Sequence, residues 1–205
     1  MAFFNYGQTE LDYLKQQDKK LGQVIDRIGL VERAVIPDLF AALVNSIVGQ
    51  QISMKAADTI WLRMQERFTE ITPENLVVKT AEEVQQCGIT MKKALYIKNI
   101  AQAVDSGAFN IAGLAKLPDE EVCRRLSALP GVGRWTAEML MTFCLQRKDV
   151  VSWGDLAIRR GMMLLYRHRK LDRAKFEKYR RRYSPFGTIA SFYLWEIAAD
   201  SNLKK

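Results

Sequence analysis

The chain has 205 residues, 48% of them hydrophobic, which excludes a globally disordered protein and leaves room for one large domain or two small helical lobes. Its 31 Lys and Arg outweigh 23 Asp and Glu, and the net charge of +8 favours an acidic partner, nucleic acid before an anionic membrane surface. Charge alone leaves open a basic protein with no such partner, but three scattered cysteines (Cys87, Cys123, Cys144) and a single histidine exclude a zinc site or disulfide framework and fit a reducing intracellular compartment.

In chain order, nearly every segment has apolar residues at helical spacing, and none alternates long enough for a strand. Asp18 caps a predicted helix that runs through Ile28. Pro37-Asp38 opens the apolar stretch 39–48, and 52–68 continues at helical spacing. Thr72-Pro73-Glu74 and Thr80-Ala81-Glu82-Glu83 each place a cap before acids, the signature of a helix start. Gly88-Ile89-Thr90 breaks the pattern, and Thr90 caps a helix over 91–106. Pro118 starts a short helix ending near Leu126, and 134–145 is helical after the turn at 129–133. Helices at 156–166, 173–183 and 188–199 complete an all-α fold of about ten helices with short connections. The middle of the chain builds one lobe, and the N-terminus joins the C-terminal helices in the other. The first 16 residues lack a charged start followed by an apolar run, so no signal peptide is expected. No apolar stretch reaches the roughly 18–20 residues that span a bilayer.

The most informative stretch is Leu126-Ser127-Ala128-Leu129-Pro130-Gly131-Val132-Gly133-Arg134-Trp135-Thr136-Ala137. Pro130 fixes the entry to a turn, and Gly131 and Gly133 permit conformations and close approaches that a side chain would block. Gly133 opens a helix, where backbone N–H groups and the positive helix end can meet a phosphate oxygen. Leu126, Leu129, Val132 and Ala137 would hold the two helices together from behind. This is the pattern of a helix-hairpin-helix, a clamp that reads the DNA backbone and no sequence. An ordinary helical joint with Pro-Gly in its loop is the alternative.

These residues resemble the helix-hairpin-helix (HhH-GPD) DNA glycosylase superfamily, and within it the 3-methyladenine DNA glycosylase II (alkylpurine) branch. Four separated motifs carry the resemblance. They are Ser46-Ile47-Val48-Gly49-Gln50-Gln51-Ile52-Ser53, residues 129–137, residues 150–161 around Asp155, and Pro185 before a run ending in Tyr193-Leu194-Trp195. They follow the family's order from about Asp18 to Trp195. The resemblance implies a two-lobed helical fold with the active-site cleft between the lobes. It also implies a single glycosylase unit over 1–205, with the helix-hairpin-helix at about 119–145. Iron–sulfur relatives carry four spaced cysteines near the C-terminus; none follows Cys144 here, so no iron–sulfur domain is expected.

By the same resemblance Asp155 is the catalytic carboxylate, placed 20 residues after Trp135 at the head of a helix. Loss of a base leaves an oxocarbenium-like sugar, which an adjacent anion stabilises while it positions water. Local sequence equally allows Asp155 simply to cap its helix, and both roles can coexist. Relatives that also cut the backbone carry a Lys in this part of the hairpin to form a Schiff base; Trp135 implies hydrolysis only, leaving an intact abasic site.

A flipped base needs stacking surfaces and a wedge to fill the space it leaves. Trp135, Met139, Leu156 and Trp195 fall at pocket positions, with core packing the alternative for both tryptophans. Gln51 falls where relatives insert a side chain into the DNA stack; Gln50 and Gln51 bridging buried backbone is the alternative. Trp153 stands where relatives commonly have a Pro. The hairpin residues Pro130, Gly131, Val132, Gly133 and Arg134 would meet the DNA backbone. The carbonyls of Ser127, Leu129 and Val132 would hold one structural monovalent cation or Mg²⁺, and no cofactor is needed for catalysis. Lys92, Lys93, Lys98 and the basic run from Arg159 to Arg182 offer contacts to phosphates, or a solvated face. The expected partner is double-stranded DNA containing damaged bases, bound by a monomer away from membranes, in bacterial cytoplasm or a nucleus. Two rival readings stay open: a non-catalytic helix-hairpin-helix module, and a glycosylase for oxidised or deaminated bases.

Overall fold

A computed structural model describes residues 2–200; Met1 and residues 201–205, part of the unit expected over 1–205, lie outside that span. In chain order the elements are β1 (Ala2–Phe3), α1 (Gln8–Gln17), α2 (Lys19–Ile28), β2 (Ala34–Val35), α3 (Leu39–Gly49), α4 (Met54–Phe68), α5 (Pro73–Val77) and α6 (Ala81–Gln85). After them come α7 (Met91–Asp105), a 3₁₀ turn (Ala112–Lys116), α8 (Asp119–Ser127), α9 (Arg134–Phe143), α10 (Leu156–Tyr166), α11 (Arg173–Tyr183) and α12 (Gly187–Ala199). The fold is all-α apart from a two-residue antiparallel pairing of β1 with β2, Ala2 opposite Val35.

Polar caps set most helix starts. Asp18 accepts from Lys20 and Leu21 N–H, Ser53 from Ala56, and Thr90 from Lys93. Thr80 accepts from Glu83 N–H while Glu83 accepts from Thr80 N–H, a reciprocal capping box. Each such cap stabilises its helix by about 1 kcal/mol. The Ser53 cap also explains why α4 begins at Met54 and not at residue 52. Three elements escape the sequence reading: α1, the β1–β2 pair and the 3₁₀ turn. Helix α1 buries only Leu11 and Leu14, too narrow an apolar stripe to stand out, and it starts at a glycine whose N–H reaches Glu10 at 3.0 Å.

By its internal contacts the chain divides into two compact units, residues 1–35 with 141–205, and residues 36–140. The boundary falls inside α9, after Leu140. In the first unit, α12 is buried from Gly187 through Leu194 and again at Ile197 and Ala198, as befits a helix that is apolar all round. Leu14, Leu21, Ile25, Ile158, Met162 and Phe176 belong to the same core. Gly161 of α10 allows close approach to α12, because a Cβ there would overlap the carbonyl of Leu194. The buried hydroxyls of α12 anchor the segment that leads to Asp155. Thr188 Oγ1 donates to Arg147 O at 2.6 Å and accepts from Val150 N–H at 2.9 Å. Asp149 accepts from Ser184 Oγ at 2.6 Å and Gly187 N–H at 3.1 Å.

In the second unit the core is built from Leu43, Ile47, Met64, Leu76, Ile97, Ile100, Leu114 and Leu126, all fully buried. Helices α3 and α4, joined by the loop at Gln50–Ser53, pack on each other, and α5 and α6 pack on α7. The hairpin follows from α8 through the first turns of α9.

Candidate functional site

Asp155 is 7% exposed and caps α10, its Oδ1 accepting the Ile158 N–H at 2.9 Å. The same oxygen accepts the indole N–H of Trp195 from α12 at 3.3 Å. Trp195 stacks on Phe143, centroids 5.6 Å apart and planes 18° from parallel, and also lies over Phe192. It is therefore both a core aromatic and a donor to the carboxylate, a role its sequence context did not signal. Leu156, next along, is 72% exposed. Its side chain is open to solvent beside the buried carboxylate.

Trp153, whose contacts the sequence could not supply, lies edge-on to Phe176. The guanidinium groups of Arg159 and Arg173 stand over its ring at 4.8 and 5.1 Å. The indole, two residues before Asp155, thus gathers two positive charges over its ring. Much of the basic run beyond it is engaged inside the molecule. Arg173 and Arg180 pair with Glu177, Lys175 pairs with Asp172, and Arg182 reaches the buried Asp18 at 3.1 Å. Asp18 also accepts the Tyr166 hydroxyl at 2.6 Å, and burial pushes the Tyr166 and Tyr183 hydroxyls far above the ordinary phenol range.

The hairpin turn is closed by Leu129 N–H to Leu126 O and Val132 N–H to Leu129 O, both 3.1 Å, and α9 begins with Ala137 N–H on Gly133 O at 3.0 Å. Leu126, Leu129, Val132 and Ala137 are buried, as their expected role behind the turn requires. Gly131 has φ 79°, the left-handed region where glycine is preferred, and a Cβ on it would overlap the Tyr96 ring. Gly133 is exposed, with nothing within 4 Å of where its Cβ would lie. Pro130 is half-buried, and Arg134 is exposed and paired with Glu138 at 3.0 Å. Ser127 and Leu129 carbonyls lie where α8 ends, at the negative pole of that helix, with Val132 in the turn that follows.

Trp135 and Met139, one turn apart on α9, line a pocket of about 540 Å³ with Asn45, Ser46, Gln51 and Thr136. Trp135 is 47% exposed. Gln51 is exposed at the tip of the α3–α4 loop, with φ 58°. Gln50 does bridge backbone: its Nε2 donates to Gly131 O at 2.8 Å. Lys93 and Lys98, read from the sequence as phosphate contacts or part of a solvated face, are both engaged within the protein. Lys93 donates to Val48 O and Gln50 O, and Lys98 donates to Leu76 O and Val77 O. Burial holds the Lys93 pKa below the usual lysine range. The sequence-expected site residues thus fall in two sets, Asp155, Leu156 and Trp195 in one unit, Gln51, Trp135, Met139 and the hairpin in the other. Among the described residues no group of His, Cys, Asp and Glu is placed to hold a metal, and no helix is long and apolar enough to cross a membrane.

A Pro-Gly-Val-Gly turn between two helices, backed by buried aliphatics in an all-α chain, defines a helix-hairpin-helix protein. Residues 44–185 match the model for HhH-GPD superfamily base excision DNA repair proteins, and the chain belongs to that superfamily. It is 35% identical over 168 residues to DNA-3-methyladenine glycosylase 1 of Schizosaccharomyces pombe, covering 78% of this chain and 72% of that protein. Its fold is similar to that of a DNA-3-methyladenine glycosidase from Bacillus halodurans, with a TM-score of 0.88 and 34% identity, covering 100% of this chain and 95% of the other. A 3-methyladenine DNA glycosylase of S. pombe, solved in complex with abasic DNA, superposes with a TM-score of 0.76 at 29% identity, covering 97% and 100%.

Proposed function

We propose that this chain is a monofunctional DNA glycosylase that removes alkylated purines of the 3-methyladenine type from double-stranded DNA and leaves an intact abasic site for base excision repair. The observation that carries the reading is Asp155, a buried carboxylate at the head of α10 that accepts the Ile158 and Trp195 N–H groups, in a chain whose relatives are named as 3-methyladenine glycosylases.

The damaged nucleotide is flipped out of the stack, with Gln51 as the wedge. Trp135 and Met139 offer surface to the extruded base, and the exposed indole gives a π-face to an electron-poor alkylated purine. As the bond from C1′ to the base breaks, its electron pair leaves with the base and neutralises the positive charge there. Asp155 stabilises the charge that develops on the sugar and positions the water that adds to C1′, whose proton passes to solvent. The preset Ile158 and Trp195 donors mean that little reorientation of the carboxylate is needed at the moment of reaction.

The hairpin from Pro130 to Arg134 binds one phosphate through the start of α9. The carbonyls of Ser127, Leu129 and Val132 are hard oxygen donors at a helix C-terminal end, a set that suits a monovalent cation or Mg²⁺ and not zinc. Such an ion would add positive charge at the backbone and take no part in the chemistry. The enzyme acts as a monomer inside the cell, in bacterial cytoplasm or a nucleus.

The test is release of alkylated bases from methylated duplex DNA by wild type and Asp155→Asn, with abasic sites scored before and after alkali. Release that yields strand breaks only after alkali, traps no borohydride adduct and fails in the variant is expected. Breaks without alkali would reassign the chain to the lyases, and no release of any alkylated base would sink the substrate assignment.

A further inference from the structure

The loop that carries Gln51 is tied to α7. Lys93 Nζ donates to Val48 O at 2.9 Å and to Gln50 O at 2.6 Å. Both carbonyls lie where α3 ends, so they lack helical partners and sit at the negative pole of that helix. A half-buried ammonium is costly unless its protons are accepted, and here two carbonyls accept them. The next residue, Gln51, is left exposed in the left-handed region at φ 58°, a conformation that persists in a non-glycine residue only when its surroundings enforce it. Ile52 and Met54, just beyond, are 39% and 83% exposed, so the whole tip is open.

The same helix face holds the hairpin. Tyr96, one turn after Lys93, fills the space beside Gly131 that a Cβ would need. Gln50 closes the connection by donating to Gly131 O at 2.8 Å. Lys93 and Tyr96, neighbours at i and i+3, therefore fasten the loop tip and the hairpin turn into one block.

Building on the glycosylase reading and on Gln51 as its wedge, we propose that Lys93 is a positioning residue for base flipping: it locks the Gln50–Gln51 loop in the shape that inserts into the stack, and through Gln50 it ties that loop to the hairpin's grip on the backbone. A loop ordered before DNA arrives has less conformational freedom to lose when it enters the duplex.

The test compares wild type, Lys93→Met, Lys93→Arg, Gln50→Leu and Gln51→Ala. Each is bound at saturation to a duplex with an abasic analogue beside 2-aminopurine, whose fluorescence rises when the stack opens. Single-turnover release of 7-methylguanine is measured in duplex and in single-stranded DNA. Loss of two charge-assisted hydrogen bonds to the loop should make the duplex defect of Lys93→Met about tenfold larger than its single-strand defect. Its fluorescence gain should fall with it, and Lys93→Arg should recover most of both. Gln50→Leu should show a weaker form of the same split, and it carries the test should Lys93→Met fail to fold. Equal losses on the two substrates, or an undiminished fluorescence gain in Lys93→Met, would overturn the proposal. An undiminished gain in Gln51→Ala would instead remove Gln51 as wedge and the proposal with it. If wild type releases no base, the glycosylase reading fails while the fluorescence arm still decides the role of Lys93.

Discussion

The indole N–H of Trp195 and the backbone N–H of Ile158 converge on one oxygen, Oδ1 of Asp155, at 3.3 and 2.9 Å. The carboxylate is thus fixed by the start of its own helix and by a neighbouring one, α12. Helix capping and catalysis do not compete at this residue, because the bond that starts α10 is also the bond that orients the anion. The two roles can nevertheless be separated by substitution.

Asp155→Asn keeps an oxygen that accepts the Ile158 N–H, so its thermal midpoint should stay close to wild type. Its base release should fall by about a hundredfold or more, the usual cost of removing a preset electrostatic stabiliser. Asp155→Ala should lose the same activity and also about 1 kcal/mol of stability with the cap. Single-turnover release and thermal melts of both variants check this. A cold-stable Asn variant with wild-type release would make Asp155 a cap and nothing more.

Trp195→Phe tests the second donor. The ring can still stack on Phe143 and Phe192, but the N–H is gone. A charge-assisted bond at 3.3 Å is long, so the expected loss in release is about tenfold, well short of the Asp155→Asn loss. Wild-type release in this variant would leave Trp195 as core packing alone.

Local chemistry in the sequence was enough to read Asp155 as a cap, since a cap followed by an apolar helix reads directly from neighbouring residues, while its catalytic role came only from the family resemblance. The hairpin was legible in the same way: Pro130 and Gly131 state their backbone needs at short range, whereas nothing within the protein requires glycine at Gly133. The long-range partners were not legible. Trp195 lies 40 residues from Asp155, and nothing in a helix as uniformly apolar as α12 marks which residue will donate. Lys93 and Lys98 read as surface cations because their acceptors are backbone carbonyls, which every residue possesses and no pattern reveals. The 3₁₀ turn and the β1–β2 pair are too short for periodicity to register.

The hairpin glycines should fail in different ways. Gly131→Ala must adopt φ 79° and displace the Tyr96 ring, so a loss of about 2 kcal/mol in stability is expected along with weakened DNA binding. Gly133→Ala meets nothing within 4 Å, so its melting should be nearly that of wild type. Its methyl would stand between the start of α9 and a phosphate, and affinity for duplex DNA should fall about five- to tenfold across sequences. Fluorescence anisotropy at two salt concentrations, beside thermal melts, separates these effects. Unaltered affinity in a stable Gly133→Ala would mean that no phosphate approaches there.

Acid should loosen the N-terminal helix before it touches the hairpin. Glu10 Oε1 accepts from Lys148 Nζ at 2.7 Å, and its Oε2 accepts from Gly7 N–H at 3.0 Å. The hydrogen bond from Lys148, followed by that from Gly7, holds the Glu10 carboxyl below the ordinary value of 4.5 even though partial burial opposes it. A depressed folded value means stability that is fully present above 4.5 and lost as pH falls through the folded value. Lys148 is 48% exposed, so solvent screens the pair and its worth is about 1 kcal/mol or less. Glu10→Gln should therefore melt slightly below wild type from about pH 6 upward, with the gap closing as both are taken toward about pH 3. Lys148 neighbours Asp149 and Val150, the residues that α12 pins on the way to Asp155. Release of α1 should thus leave base excision nearly intact, because Asp149 and Thr188 hold that segment without help from Glu10. A gap that widened on acidification would reverse the sign of the Glu10 contribution, and a matching loss of activity would place α1 in the support of the catalytic carboxylate.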